Sequence, residues 1–125
     1  MIHLDTGFLI RALVIDSPQD RRLRGWLVAD ETIGISAIAW AEFLCEPVDR
    51  QQADAALQVV NEPEAFGAEH AELAARLFNE GGRRRGTFAD CMIAATALRA
   101  GASLATTDPA DFRRFASAGL RLQTA

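Results

Sequence analysis

Apolar positions along the chain follow two spacings, and each spacing predicts a type of element. Ile2-His3-Leu4 is a short apolar run ending at Asp5, after which Phe8, Leu9, Leu13 and Val14 fall at helical steps across Thr6 to Val14. Strand followed by helix is the expectation. Ser17-Pro18 supplies a cap and a first-turn proline for a second helix bearing Leu23, Trp26, Leu27 and Val28. A strand over Thr32 to Ile35 runs through Ser36 into a helix from Ala37 to Cys45; Pro47-Val48-Asp49 breaks that helix and caps another, Arg50 to Val60. Glu64-Ala65-Phe66 is a candidate third strand, ahead of a helix from Glu69 to Phe78. Beyond the loop Gly81-Gly82-Arg83-Arg84-Arg85-Gly86, Thr87 caps an apolar helix that runs to Arg99 and stops at Gly101. Ser103 to Thr106 is the next strand, Asp108-Pro109 starts a short helix, and Leu120 to Leu122 is an edge strand.

Strands that alternate with helices imply an α/β fold with a mainly parallel central sheet, about four to five strands covered by helices on both faces. Residues 1–125 contain no repeat and no linker, so one domain is expected. Ligands of such sheets collect outside the carboxyl ends of the strands. Asp5 and Asp108 fall there.

Composition narrows the chemistry. Half the residues are hydrophobic, but no run approaches the roughly 18 apolar residues of a membrane span, and the first residues lack a signal-peptide pattern, so a cytoplasmic protein without a membrane partner is expected. Cys45 and Cys91 have no second Cys or His at zinc-ligand spacing and are expected in the core. Trp26, Trp40, Phe43 and Phe66 are expected there too. His3 and His70 have no Ser or Cys partner in a nucleophile motif. A net charge of -4 excludes binding to nucleic acid by bulk electrostatics, though cations held by clustered carboxylates would invert the local field. All 13 basic residues are arginine.

Four acids stand out. Glu42 is the only charge in an otherwise apolar helix, where a buried carboxylate would need a counter-charge. Asp5, Asp90 and Asp108 each have a structural alternative: Asp5 as a helix cap, Asp90 as the third residue of a capping box begun by Thr87, Asp108 as a cap before Pro109. Capping does not explain why all four occur at strand ends or on apolar helices that would converge at one sheet edge. Carboxylates gathered at one point need cations, and oxygen-only ligands suit Mg²⁺ or Mn²⁺, ions that serve phosphate chemistry.

These residues resemble the PIN-domain family, and within it the VapC-type toxins of bacterial toxin–antitoxin pairs. The resemblance covers the chain: Leu4-Asp5-Thr6, Ala41-Glu42, Ala89-Asp90 followed by Ile93-Ala94-Ala95-Thr96-Ala97, then Ala105-Thr106-Thr107-Asp108 with Asp111-Phe112. Gly7-Phe8 departs from the family pattern, which more often has a polar or small residue and then an aliphatic one. The resemblance implies a ribonuclease that hydrolyses phosphodiester bonds with one or two Mg²⁺ or Mn²⁺ ions. Asp5, Glu42 and Asp90 correspond to the metal ligands, Asp108 to a fourth acid for which Asp111 is the alternative, and Thr6 and Thr106 to supporting hydroxyls. In the mechanism this implies, metal at Asp5 and Asp90 activates water, and Glu42 bridges the metal or positions that water for in-line attack. It also implies a homodimer, a small VapB-type antitoxin, and a structured RNA such as tRNA or rRNA as substrate. Arg83, Arg84 and Arg85 are candidate phosphate contacts, against the alternative of a solvated loop.

Two other phosphate-handling families are excluded by residue type. A haloacid-dehalogenase-like phosphatase would need a second Asp where Gly7 stands and a downstream lysine, and a receiver domain would need an acidic pair and a lysine; the chain has no lysine. The remaining alternative is a PIN-like module that binds RNA or protein and cleaves nothing.

Overall fold

The computed structural model describes residues 1–124, so the expected domain end at residue 125 lies just outside the described residues. Strand β1 (Ile2–Leu4) leads into helix α1 (Thr6–Ala12), followed by α2 (Pro18–Val28), β2 (Ile33–Ile35), α3 (Ala37–Leu44), α4 (Arg50–Val60), α5 (Ala68–Glu80), α6 (Phe88–Arg99), β3 (Ser103–Thr106), α7 (Pro109–Phe112), a 3-10 helix (Arg113–Ala118) and β4 (Leu122–Thr124). The strands form one sheet in the order β2-β1-β3-β4, every pair parallel. The α/β expectation therefore holds, with four strands.

Sheet and core form together. Ile2 and Leu4 pair in register with Ile33 and Ile35, and all four are buried. The small residues of α6, with Ala94, Ala95 and Ala97 fully buried, let that helix lie close against α5 and β3. Phe8 and Phe43 fill the space between helices, both without exposed surface. Close packing of this kind leaves little freedom for the loops at the strand ends, which carry the acids.

Several boundaries move, each for a local reason. Helix α1 stops at Ala12 rather than Val14, because the Leu13 N–H turns back to the carbonyls of Ile10 and Arg11; Val14 and Ile15 are exposed at 60% and 77%. The expected strand at Glu64 is a single parallel bridge to Ser36. Glu64 N–H donates to the Ile35 carbonyl, and the Glu64 carbonyl accepts from Ala37, both at 2.8 Å; beyond that the chain enters α3 and leaves no strand to pair with. The edge strand starts at Leu122 instead of Leu120. Cys45 is exposed, because it caps the end of α3, whereas Cys91 is buried as expected. Of the four aromatics assigned to the core only Phe43 is enclosed; Trp26, Trp40 and Phe66 pack at its margin, half-buried.

His3 is a buried polar residue in β1, in register with Gly34 of β2. A Cβ at position 34 would lie 3.0 Å from His3 Cδ2 and 3.1 Å from Nε2, so the imidazole occupies the space that glycine vacates. Burial lowers the His3 pKa and keeps the ring neutral. Gly34→Ala is expected to cost about 1–3 kcal/mol in urea unfolding through overpacking. In a His3→Val background the cost should fall below about 0.5 kcal/mol, because the two positions are directly coupled. Equal costs in both backgrounds would show that the ring is not what requires the glycine.

Candidate active site

The acids are assembled from the backbone outward. Asp5 follows β1 and caps α1, its Oδ1 accepting from Phe8 N–H at 2.7 Å. The Asp5 N–H donates to Ala105 of β3 at 3.0 Å, so its main chain is still part of the sheet. Next to it, the Thr106 hydroxyl bonds the Asp5 carboxylate and accepts from Asp108 N–H at 2.9 Å. One buried threonine thus sets the spacing of two acids.

The structural alternatives divide. Asp5 is both cap and site residue. Asp108 makes no side-chain cap bond to α7, and its exposed carboxylate is left to the pocket. The capping box at Asp90 does not form either: Thr87 Oγ1 donates to the Arg84 carbonyl at 2.6 Å and makes no cap bond to α6. Glu42 differs from expectation, because its side chain is exposed and stays solvated. What holds it is a 2.7 Å hydrogen bond from Thr6 Oγ1.

Asp5, Glu42, Asp90, Asp108 and Asp111 line one pocket of about 170 Å³ with Thr6, Gly7, Ile93 and Phe112. Asp108 and Asp111 are therefore both at the site. Like charge and burial act together there. Asp5 titrates at about 6, raised chiefly by burial and further by Asp108 and Glu42, against the hydrogen bonds from Thr106 and Phe8. Asp90 also titrates at about 6, raised by burial, then by Asp111, Glu42 and Asp5, with only Arg114 opposing. Carboxyl groups in this situation gain most from a cation between them.

The donor set fits a hard divalent cation, since every polar side chain of the pocket offers oxygen and none offers imidazole or thiolate. Among the described residues no three acidic, His or Cys side chains already stand in a closed ligand geometry. Mutual repulsion separates such groups until a cation draws them together.

Three residues have parts at the site that the sequence did not reveal. Gly7, the departure from the family pattern, lines the pocket: a Cβ there would lie 2.9 Å from Thr107 Oγ1 and 3.9 Å from both Asp5 Oδ1 and Asp108 Oδ2. Thr107 is a second hydroxyl beside Asp108, at 3.4 Å. Arg114, in an unremarkable Arg-Arg pair, stacks on Phe115 at 4.4 Å, bonds Cys91 and opposes the Asp90 charge, with Nη2 buried and unpartnered. Arg83, Arg84 and Arg85 lie outside the pocket lining, on the loop leading into α6.

The PIN domain family model matches residues 2–118. No curated protein sequence matches the chain. Among solved structures, the chain is similar to one of VapBC2 from Rickettsia felis bound to a promoter DNA fragment, at 24% identity and TM-score 0.78, covering 100% of this chain and 99% of that one. A toxin-antitoxin complex from Klebsiella pneumoniae matches at 24% identity and TM-score 0.72, covering 90% of each chain. FitAcB from Neisseria gonorrhoeae matches at 22% identity and TM-score 0.70, covering 98% and 96%. At these identities the likeness is one of fold.

The raised carboxyls have a consequence for stability. Asp5 and Asp90 titrate at about 6 in the folded chain against an ordinary 3.8, so between these values the folded state holds protons that the unfolded chain has released. Their neutral forms favour the fold below that window, and the benefit is lost as pH rises through 6. Asp90→Asn, which cannot ionise, is expected to raise the Tm in EDTA at pH 7 by on the order of 3–6 °C. It should change the Tm little at pH 4 and remove most of the stabilisation by added Mg²⁺. A lower Tm at pH 7 in EDTA would contradict this account of the pocket.

Proposed function

The chain belongs to the PIN domain family, and on that premise we propose that it is a metal-dependent endoribonuclease, the toxin of a VapBC-type toxin–antitoxin pair. The observation that carries this reading is the convergence of five carboxylates, from both ends of the chain and from α3 and α6, on one pocket at the carboxyl edge of a parallel sheet. Two of them titrate near 6 through burial and mutual charge. A structural role requires no such concentration.

In this reading Asp5, Glu42 and Asp90, with Asp108, hold Mg²⁺ or Mn²⁺. Such a cation would supply activation of water near neutral pH and would offset charge on the phosphate. The chain's own groups position the reactants. Asp5 is fixed by donors from Phe8 and Thr106, so its orientation is set before any ligand arrives. Glu42, tethered through Thr6 and solvated, is assigned in this reading to bridging the metal or positioning the attacking water. Asp111 adds charge beside Asp90, and Arg114 behind Asp90 limits the repulsion.

The partners follow from the same premise. A VapB-type antitoxin and a second copy of this chain are the proposed protein partners, and RNA, including structured RNA such as tRNA or rRNA, the substrate. Support for the antitoxin comes from the VapBC and toxin-antitoxin complexes that share the fold. It also comes from an apolar groove of about 280 Å³ between α1, α2 and α4, lined by Leu9, Leu13, Leu23, Leu27, Ala56 and Val59 among others. Among the described residues no helix is long and apolar enough to cross a membrane. A cytoplasmic site of action is part of the proposal.

The test is a transcriptome-wide map of new RNA 5′ ends after induction in a bacterium, beside Asp90→Asn at equal expression. Sharp new ends at few sites are expected from the unaltered chain, reduced on the order of 100-fold or more in the variant. Identical maps from two soluble, folded proteins would favour the non-catalytic binding module instead.

A further inference from the structure

Two acids of the pocket have their carboxylates fixed by a threonine: Asp5 by Thr106, and Glu42 by Thr6 at 2.7 Å. Asp108 is held differently. Its N–H donates to Thr106 Oγ1 at 2.9 Å, and Pro109 follows it as the first residue of α7, so its main chain has little freedom. The carboxylate itself makes no cap bond to that helix and is exposed. An exposed Asp on a fixed backbone still has several side-chain rotamers, and only some of them turn its oxygens toward the other acids.

One group selects among them. Thr107 Oγ1 donates to Asp108 Oδ2 at 3.4 Å, the one hydrogen bond to the Asp108 carboxylate among the described residues. At that length the bond is weak, and it is sensitive to where the hydroxyl can sit.

Position 7, at the other end of the chain, decides where it sits. A Cβ on Gly7 would lie 2.9 Å from Thr107 Oγ1, too close for both atoms to stay, and the threonine hydroxyl is the part that can turn aside. The same Cβ would stand 3.9 Å from Asp108 Oδ2 and 3.9 Å from Asp5 Oδ1, ordinary contact distances that leave both carboxylates in place. The clash is with the hydroxyl alone. Local structure does not ask for this glycine: it lies in the first turn of α1, outside the left-handed region, where alanine is the better helix former.

We propose that Thr107 is a positioning residue for Asp108, and that position 7 is glycine because this leaves the space in which the Thr107 hydroxyl reaches the carboxylate. The pair acts on metal binding through Asp108, so the proposal rests on the reading of the pocket as a divalent-cation site. It adds to that reading two residues that supply no ligand themselves. A hydrogen-bond partner of a ligating carboxylate contributes by fixing the orientation in which the oxygens are presented.

The test is calorimetric titration of the full chain with Mn²⁺. Thr107→Ala, which removes the hydroxyl, is expected to weaken binding about tenfold, and Thr107→Ser, which keeps it, to bind within about threefold of the unaltered chain. Gly7→Ala should also weaken binding about tenfold, by turning the hydroxyl aside. In the Thr107→Ala background the added Cβ meets no hydroxyl, so the double variant should bind like Thr107→Ala alone instead of losing on the order of 100-fold. Equal losses in Thr107→Ser and Thr107→Ala would show that the hydroxyl is not what matters, and would overturn the proposal. So would a Gly7→Ala loss that persists in full in the Thr107→Ala background, since the Cβ would then be blocking the pocket itself. Thr107→Ala binding as tightly as the unaltered chain overturns the role of Thr107 and leaves the metal site standing. An unaltered chain that binds no Mn²⁺ overturns the metal site and this proposal with it.

Discussion

Because β1 and β3 run parallel and pair Leu4 with Ala105, the next residues along each strand, Asp5 and Thr106, stand together at the same edge of the sheet. An antiparallel pairing would put the ends of these two strands on opposite sides. The site depends on this geometry. Thr106 bonds Asp5 and the Asp108 main chain at once, so the register of one strand pair sets the separation of two carboxylates far apart in sequence. Helices α3 and α6, packed together and against the rest of the core, bring Glu42 and Asp90 to the same edge.

The acids are costly to hold there, and the structure spreads that cost. Asp5 offsets part of its burial by capping α1, where the helix N-terminus favours negative charge. Glu42 and Asp108 remain in contact with solvent. Asp90 has the least compensation, since it is raised by burial and by three other carboxylates and opposed only by Arg114. Gly7 belongs to the same economy of space: any side chain there would press on Thr107 and reach the oxygens of Asp5 and Asp108. A glycine in the first turn of a helix is normally a small loss of stability, and here it keeps the pocket accessible.

The loop before α6 shows how one segment gives identical residue types different surroundings. Arg83 is consumed by Asn79 and Phe78, whereas Arg84 and Arg85 are left to solvent. The run of three arginines has no internal feature that distinguishes them. Backbone conformation does, because the left-handed turn at Arg83 directs its side chain back over α5.

The sequence by itself determined the order and type of the α-helices and of the four sheet strands, since apolar spacing reports directly which face of a segment is buried, but not the lone bridge at Glu64 or the 3-10 helix after α7. It also determined the acids Asp5, Glu42, Asp90 and Asp108, because charges in apolar surroundings and at strand ends are conspicuous in one dimension. Only the tertiary structure decided which of them are caps. Asp108 before proline and Asp90 after Thr87 both have the local pattern of capping, and neither bond forms, because the backbone at Thr87 and at Asp108 does not adopt the extended cap geometry seen at Asp5. The inclusion of Asp111, the part played by Gly7 and Arg114, and the solvation of Glu42 likewise depend on distances between segments. Local pattern constrains the torsions of a segment, whereas a site is defined by separations across the sheet, and those exist only once the strands have paired.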